Sequence, residues 1–231
     1  MIFAAGRGER MRPLSDTTPK PLLEVGGTRL IEWHLEKLAA LGIREVVINT
    51  SHLAEQFPAV LGNGARWHLR IEFINEGPQP LETGGGMLNA LPLLGADPFL
   101  LVNGDIWCDL DFSALPPDPP GLAHLVMVEN PPHRPQGDFA LDKDGTLRTS
   151  GPQRLTYAGI GIFRAALFDA YHSVDPAPNA SLASPARFPL APLLREAMRE
   201  GRITGSLHRG RWIDVGTPQR LHQLDTDLRG D

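Results

Sequence analysis

The chain opens with a short apolar run, Ile2-Phe3-Ala4-Ala5, that breaks at once into Gly6-Arg7-Gly8-Glu9-Arg10-Met11-Arg12-Pro13-Leu14 and then Thr18-Pro19-Lys20-Pro21-Leu22. A strand-like segment that empties into a glycine-spaced basic loop sets backbone N–H groups and fixed cations side by side, which suits a polyphosphate. Gly6 and Gly8 let main chain wrap an anion closely, with positive φ expected at one or both. Lys20 lies between two prolines whose fixed φ values are expected to hold it extended and aimed. Taken alone, Gly-x-Gly is equally a strand-ending turn with solvated arginines. Two phosphate motifs are excluded: Met11 stands where a dinucleotide fingerprint has its third glycine, and no Gly-Lys-Ser/Thr of a P-loop occurs.

Behind this loop the hydrophobic period alternates. Leu30, Ile31, His34, Leu35, Leu38 and Leu41 recur at helical spacing, with Gly42 as the stop. Val46 to Asn49 and Leu69 to Phe73 read as strands, Thr83 to Leu94 as a helix that begins in glycines, and Phe99 to Asn103 as a strand buried on both faces. After Asp111 the pattern turns antiparallel or mixed: a strand from Leu122 to Val128, a hairpin at 138–147, and a strand from Tyr157 to Phe163. A helix within 188–201 follows, then Ile203 to Leu207 and Trp212 to Val215 as a final strand pair before a terminal helix. The expected class is α/β: a Rossmann-like mixed, mostly parallel sheet flanked by helices, with a small antiparallel part in the second half. Ser173 to Arg187, rich in Pro, Ala and Ser, reads as a mobile insertion. The whole of 1–231 reads as one domain.

Charge and cysteine usage remove several function classes. Lys+Arg of 22 against Asp+Glu of 27 gives a net charge of −5, so neither nucleic acid nor an anionic membrane is an expected partner, and an anion must be held locally. Cys108 has no second cysteine to pair with, and the histidines follow no zinc-site spacing. With no long apolar run and no signal-peptide pattern, a cytoplasmic location is expected.

In an open α/β sheet, ligands bind beyond the carboxyl ends of the parallel strands. Three motifs fall at such ends: the basic glycine loop, Glu82-Thr83-Gly84-Gly85-Gly86, and Asn103-Gly104-Asp105. A carboxylate at the end of a buried strand costs several kcal/mol unless it meets a cation, which makes Asp105 a candidate ligand; a turn aspartate is the plainer alternative. Asp214, within Trp212-Ile213-Asp214-Val215-Gly216-Thr217-Pro218, is a second acid among apolar neighbours. Two carboxylates plus substrate oxygens make a Mg²⁺ site, but only the fold can bring these two together.

In their order, Ala4-Ala5-Gly6-x-Gly8-x-Arg10-Met11, Pro19-Lys20-Pro21, Glu82-Thr83-Gly84-Gly85-Gly86, Asn103-Gly104-Asp105 and Asp214-Val215-Gly216-Thr217 resemble the sugar-1-phosphate nucleotidyltransferases over nearly the whole chain. The resemblance implies a nucleotide-binding half at 1–111 and a sugar-binding half at 112–231. It implies a sugar-1-phosphate oxygen attacking the α-phosphorus of a nucleoside triphosphate, with UTP as the expected donor and Mg²⁺ as the cofactor. Guanylyl transfer to mannose-1-phosphate, or uridylyl or thymidylyl transfer to glucose-1-phosphate, are the neighbouring alternatives. It assigns Arg10, Lys20 and Asp105 to catalysis, and Asp105 with Asp214 to the metal. Nucleotide contacts fall to Ala5, Gly6, Gly8, Arg10, Lys20, Glu82, Thr83, Gly84, Gly85 and Asn103, although Glu82 replaces a residue that is often glycine. Sugar contacts fall to Gly137, Asp138, Tyr157 and Gly159. A monomer or small homo-oligomer is expected. A nicotinamide-dependent oxidoreductase is opposed by Met11, and a non-catalytic sensor by the joint presence of Arg10, Lys20, Asp105 and Asp214. Removing Asp105 is expected to abolish turnover at little cost in stability, by relieving acid–acid repulsion.

Overall fold

The computed structural model describes residues 1–169 and 186–230. Most of the segment read as a mobile insertion, Ser173 to Arg187, lies outside them. The chain divides into two compact units. The first comprises Met1–Pro80, Val102–Ser113 and Gly210–Asp231; the second comprises Leu81–Leu101 and Ala114–Arg209.

The first unit is built on parallel pairing. The strand Ile2–Phe3 lies between Glu45–Thr50 and the end of Phe99–Asn103, with Ile2 opposite Ile48 and Val102, and Phe3 opposite Asn49 and Asn103. Glu45–Thr50 pairs in turn with Arg70–Asn75 along its full length. Strands this apolar are what a parallel ladder covered on both faces requires, and Ile2, Ile48 and Val102 are fully buried. The Leu30–Ala40 helix places Leu30, Ile31, His34, Leu35 and Leu38 on its buried side, as the spacing predicted, whereas Leu41 of the same stripe falls at the cap and is exposed, and Gly42 follows at φ +86°. A second core joins Val25, Leu30, Trp107, Val215 and Leu224, with Trp33 edge-on to Trp107 at 6.2 Å. Burying each such side chain is worth about 1.5–3 kcal/mol, which fixes the Pro218–Arg229 helix against the Ile106–Cys108 strand.

The second unit is mixed. Arg154–Phe163 runs antiparallel to Ala123–Val128 and to Phe139–Leu141, while Ile203–Leu207 runs parallel to Ala123–Val128. Its register slips between Tyr157 and Gly161, so β-bulged backbone interrupts the long strand. The hairpin read at 138–147 is present, with Leu141 opposite Leu147. Among the described residues its α-helices are Glu82–Leu94 and Ala191–Arg199. The fold class is thus α/β as expected, with mixed, mostly parallel strands, flanking helices and small antiparallel sheets.

One pairing expectation is corrected. Ile203–Leu207 and Trp212–Asp214 are not partners: the former joins Ala123–Val128, and the latter pairs antiparallel with Ile106–Cys108. Adjacency in sequence suggested a hairpin, but burial of Val215 and the satisfaction of both strands' backbone groups favour separate partners. The expectation that Lys20 sits in extended chain also fails. Lys20–Leu22 forms a 3₁₀ turn, closed by Leu23 N–H donating to the Lys20 carbonyl at 3.1 Å.

Candidate active site

Parallel pairing gathers four strand ends on the first unit, and a hydrogen-bonded rim joins them. Asn49 Oδ1 accepts from Ala4 N–H at 3.0 Å while its amide donates to Glu76 at 2.7 Å, and Ser51 Oγ donates to the Gly77 carbonyl at 2.6 Å. The glycine loop is pinned to this rim from both sides. Arg7 donates to the Pro78 carbonyl at 2.7 Å, and buried Ser15 donates to the Gly8 carbonyl at 2.8 Å. Gly8 takes φ +62°, the left-handed conformation the sequence called for. Gly6 differs: a Cβ there would meet nothing within 4 Å, so no internal packing demands glycine at that place. Arg10 is exposed on the same loop and makes no ion pair or hydrogen bond with the described residues.

The cations and carboxylates converge within this unit. Lys20, 8% exposed, donates to Asp105 Oδ2 at 2.6 Å, which compensates a charge that burial would otherwise penalise. Gly104 is required just before it, because a Cβ would come within 2.8 Å of the Phe3 carbonyl, which instead accepts from Gly104 N–H at 2.8 Å. Asp214 arrives from the far end of the sequence. It lies opposite Ile106, and the next residue, Val215, donates its N–H to the Asp105 carbonyl at 2.9 Å. The fold therefore joins the two acidic segments through their main chains. Their carboxylates take different partners: Asp105 has Lys20, and Asp214 pairs with Arg220. Among the described residues no cluster of three or more His, Cys, Asp or Glu side chains forms a metal cage.

The pair changes what removal of Asp105 does. Without it the buried Lys20 ammonium would lose the carboxylate that compensates its desolvation, so a loss of stability is expected in place of the mild effect that acid–acid repulsion alone suggested.

His34, from the Leu30–Ala40 helix, supports the Asp105 turn from beneath. Its Nε2–H donates to the Ile106 carbonyl at 2.9 Å and its Nδ1 is buried without a partner, so the ring is held neutral. Burial lowers its pKa to about 4, the Ile106 hydrogen bond and Asp105 opposing and Lys37 adding to the fall. Lys37, one turn on, donates to the carbonyls of Cys108 and Leu110 at 2.5 and 3.0 Å, and burial pushes the Cys108 thiol up.

Other sequence candidates lie on the second unit. Gly84 and Gly85 both donate their N–H groups to the Phe188 carbonyl, at 2.9 and 3.0 Å, and Thr83 Oγ1 accepts from Leu190 N–H at 2.9 Å. A Cβ on Gly84 would collide with the Phe188 ring, and one on Gly85 with the Ala186 carbonyl. Here glycine is demanded by the protein's own chain. Glu82 has φ +63°, a conformation that disfavours any side chain, which gives the physical reason a glycine is expected there; its carboxylate is 3.3 Å from Arg187. Gly137 turns at φ +60° where a Cβ would meet Asn130 Oδ1 at 2.7 Å, and Asn130 in turn accepts from the Thr156 hydroxyl at 2.9 Å. Asp138 Oδ2 accepts from Tyr157 N–H at 2.9 Å, Gly159 lies in the bulge at φ +75°, and the Tyr157 hydroxyl is buried without a partner, which raises its pKa.

Sequence reasoning did not single out Ser15, His34, Asn49 or Arg220. Of these only Arg220 had a legible signal, three residues after the Thr217-Pro218 helix start and six after Asp214, so that the first helical turn carries it back toward that strand end.

A glycine loop and an acidic turn, at Asp105, lie at the carboxyl ends of parallel strands, and Asp214 ends the antiparallel strand that pairs with Ile106–Cys108, an arrangement suited to holding phosphate. The chain belongs to the nucleotidyl transferase family, whose pattern matches residues 1–117. It is 47% identical over 230 residues to the N-acetylmuramate alpha-1-phosphate uridylyltransferase of Neisseria meningitidis serogroup B, covering 96% of this chain and 95% of that one. It is 33% identical to the protein of the same name from Caulobacter vibrioides, covering 95% and 92%. Among solved structures, a Bacillus anthracis protein assigned as a glucose-1-phosphate thymidylyltransferase, crystallised with a sucrose, superposes with a TM-score of 0.79 at 18% identity, covering 100% of this chain and 94% of that one. No helix of the described residues is long and apolar enough to cross a membrane.

Proposed function

We propose that this protein transfers the uridylyl group of UTP to N-acetylmuramate-1-phosphate, releasing pyrophosphate, with Mg²⁺ as cofactor and in the cytoplasmic recycling of cell-wall sugar. The observation that carries the choice of base and sugar is the 47% identity to the meningococcal uridylyltransferase, sustained along almost the whole of both chains. The reaction type is supported by the first unit, in which Lys20 bonds Asp105, Val215, next to Asp214, donates its N–H to the Asp105 carbonyl, and a guanidinium nitrogen of Arg10 lies near Gly216.

Asp105 and Asp214 fit a divalent ion. They are hard oxygen donors on main-chain-bonded segments, with side chains 40% and 23% exposed, and would hold the ion together with substrate phosphate oxygens and water. When bound, that ion neutralises charge on the phosphates. The remaining work falls to the chain itself. Lys20 uses one of its three N–H donors on Asp105 and offers the others near the α-phosphate. Exposed Arg10 binds the triphosphate and stabilises the leaving pyrophosphate. Gly6 and Gly8 let main chain approach the phosphates, and Ala5 and Asn103 line the nucleotide. The base is assigned to the segment of Glu82, Thr83, Gly84 and Gly85, where the N–H groups of the two glycines are already held by the Phe188 carbonyl, and the sugar to Gly137, Asp138, Tyr157 and Gly159. Because the attacking phosphate is already anionic near neutral pH, alignment and charge neutralisation replace an acid–base dyad.

The test is pyrophosphate release with UTP, GTP or dTTP paired against the 1-phosphates of N-acetylmuramate, mannose, glucose and N-acetylglucosamine. UTP with N-acetylmuramate-1-phosphate is expected to be fastest. A preference for GTP with mannose-1-phosphate, or for dTTP with glucose-1-phosphate, overturns the assignment.

A further inference from the structure

Asp214 meets a guanidinium in this structure, and the surroundings show that the meeting is built in. Arg220 pairs with Asp214 with both side chains under a quarter exposed. The helix start does not need this guanidinium, since Thr217 Oγ1 accepts from Arg220 N–H at 3.4 Å and caps the first turn through the main chain. Glycine at 216 clears the path: a Cβ there would collide with the Arg220 guanidinium and lie 3.4 Å from an Arg10 guanidinium nitrogen. Two positive groups thus flank Gly216, and one of them sits on a carboxylate that the proposed function gives to a divalent ion.

We propose that Arg220 is a resident counter-ion of Asp214, which a divalent cation must displace, so that the Arg220–Asp214 pair lowers the metal affinity of the nucleotide-free protein. A cation and a guanidinium cannot both neutralise one carboxylate at full strength, and each bound charge repels the other. The triphosphate offers the displaced guanidinium an alternative anion beside Arg10, which couples nucleotide binding to metal binding through one side chain. This inference rests on the proposed metal role of Asp214.

The experiment is Mn²⁺ titration of the nucleotide-free protein, read by the electron paramagnetic resonance signal of free Mn²⁺. Arg220→Gln is expected to tighten binding roughly fivefold, the scale of a partly exposed ion pair. Arg220→Lys, which keeps the charge, is expected to stay near the wild type, and Asp214→Asn to weaken binding. A merely structural Arg220 would leave affinity unchanged or weaken it when replaced. Arg220→Met, which preserves the apolar stem, carries the same expectation as the Gln variant should that one fail to fold. If Asp214→Asn weakens binding while neutral replacements of Arg220 do not tighten it, the counter-ion role is overturned and the proposed function stands. If Asp214→Asn leaves Mn²⁺ binding untouched, the metal role of Asp214 falls and the inference with it.

Discussion

Two glycine motifs in this molecule look alike on paper and differ in kind. In the first unit, Gly6 has open space where a side chain would go, and the loop around it carries an exposed arginine. In the second unit, Gly84 and Gly85 have no such space, because Phe188 and the Ala186 carbonyl fill it and the Phe188 carbonyl takes both N–H groups. Glycine can therefore be retained for something outside the protein or for the protein's own packing, and only atomic neighbours tell the two apart.

The largest effect expected from this contrast is at Gly85. Gly85→Ala drives a methyl into a backbone carbonyl that cannot rotate away, so a loss of about 3 kcal/mol in denaturant unfolding is expected; a neutral outcome would show that residues 186–190 yield easily. Next is Asp105→Ala, at about 2 kcal/mol, because buried Lys20 loses its carboxylate partner. Lys20→Met should cost less than this, since Asp105 is better exposed, and equal costs would contradict the asymmetry.

His34 gives a pH signature confined to the first unit. Its pKa is lowered to about 4 in the folded chain from an ordinary 6.5, so the unfolded chain binds the proton more tightly. The stability that the neutral ring confers is complete above about pH 6.5 and declines as pH falls toward 4, by at most about 3 kcal/mol. Lys37 and Asp105 act on the ring with opposite signs. His34→Gln should flatten that part of the stability curve; an unchanged slope would assign the acid sensitivity elsewhere.

Smaller stability changes sharpen the contrast further. Glu82→Gly relieves a left-handed backbone but loses the Arg187 contact, so melting should shift by no more than the equivalent of about 1 kcal/mol, whereas Glu82→Val should be clearly worse. Gly6→Ala should be neutral or stabilising by up to about 1 kcal/mol and yet raise KM for UTP about tenfold. Unchanged KM would remove the ligand from the open side of that loop.

Much of this was legible in the sequence because local period and strand-end chemistry are local properties. Phe99–Asn103 was read residue for residue from its apolar run, and the Leu30–Ala40 helix to within one residue of its end. What failed was pairing. Trp212–Asp214 joins Ile106–Cys108 across more than a hundred residues, and no local pattern encodes a partner at that distance. The Lys20–Asp105 pair was hidden for the same reason, although each residue was marked by its own motif. Ser15 and Asn49 were missed because a buried hydroxyl or amide that holds a loop by one hydrogen bond looks like any other polar residue until its neighbour is known.

Asp105 and Asp214 are proposed to share one divalent ion. Crystals of the protein grown with Mn²⁺ and a non-hydrolysable UTP analogue, measured for anomalous scattering from manganese, test it directly. The expected result is a single strong peak within coordination distance of both carboxylates and a phosphate oxygen. A peak bound by the nucleotide alone, or by only one of the two aspartates, would contradict it.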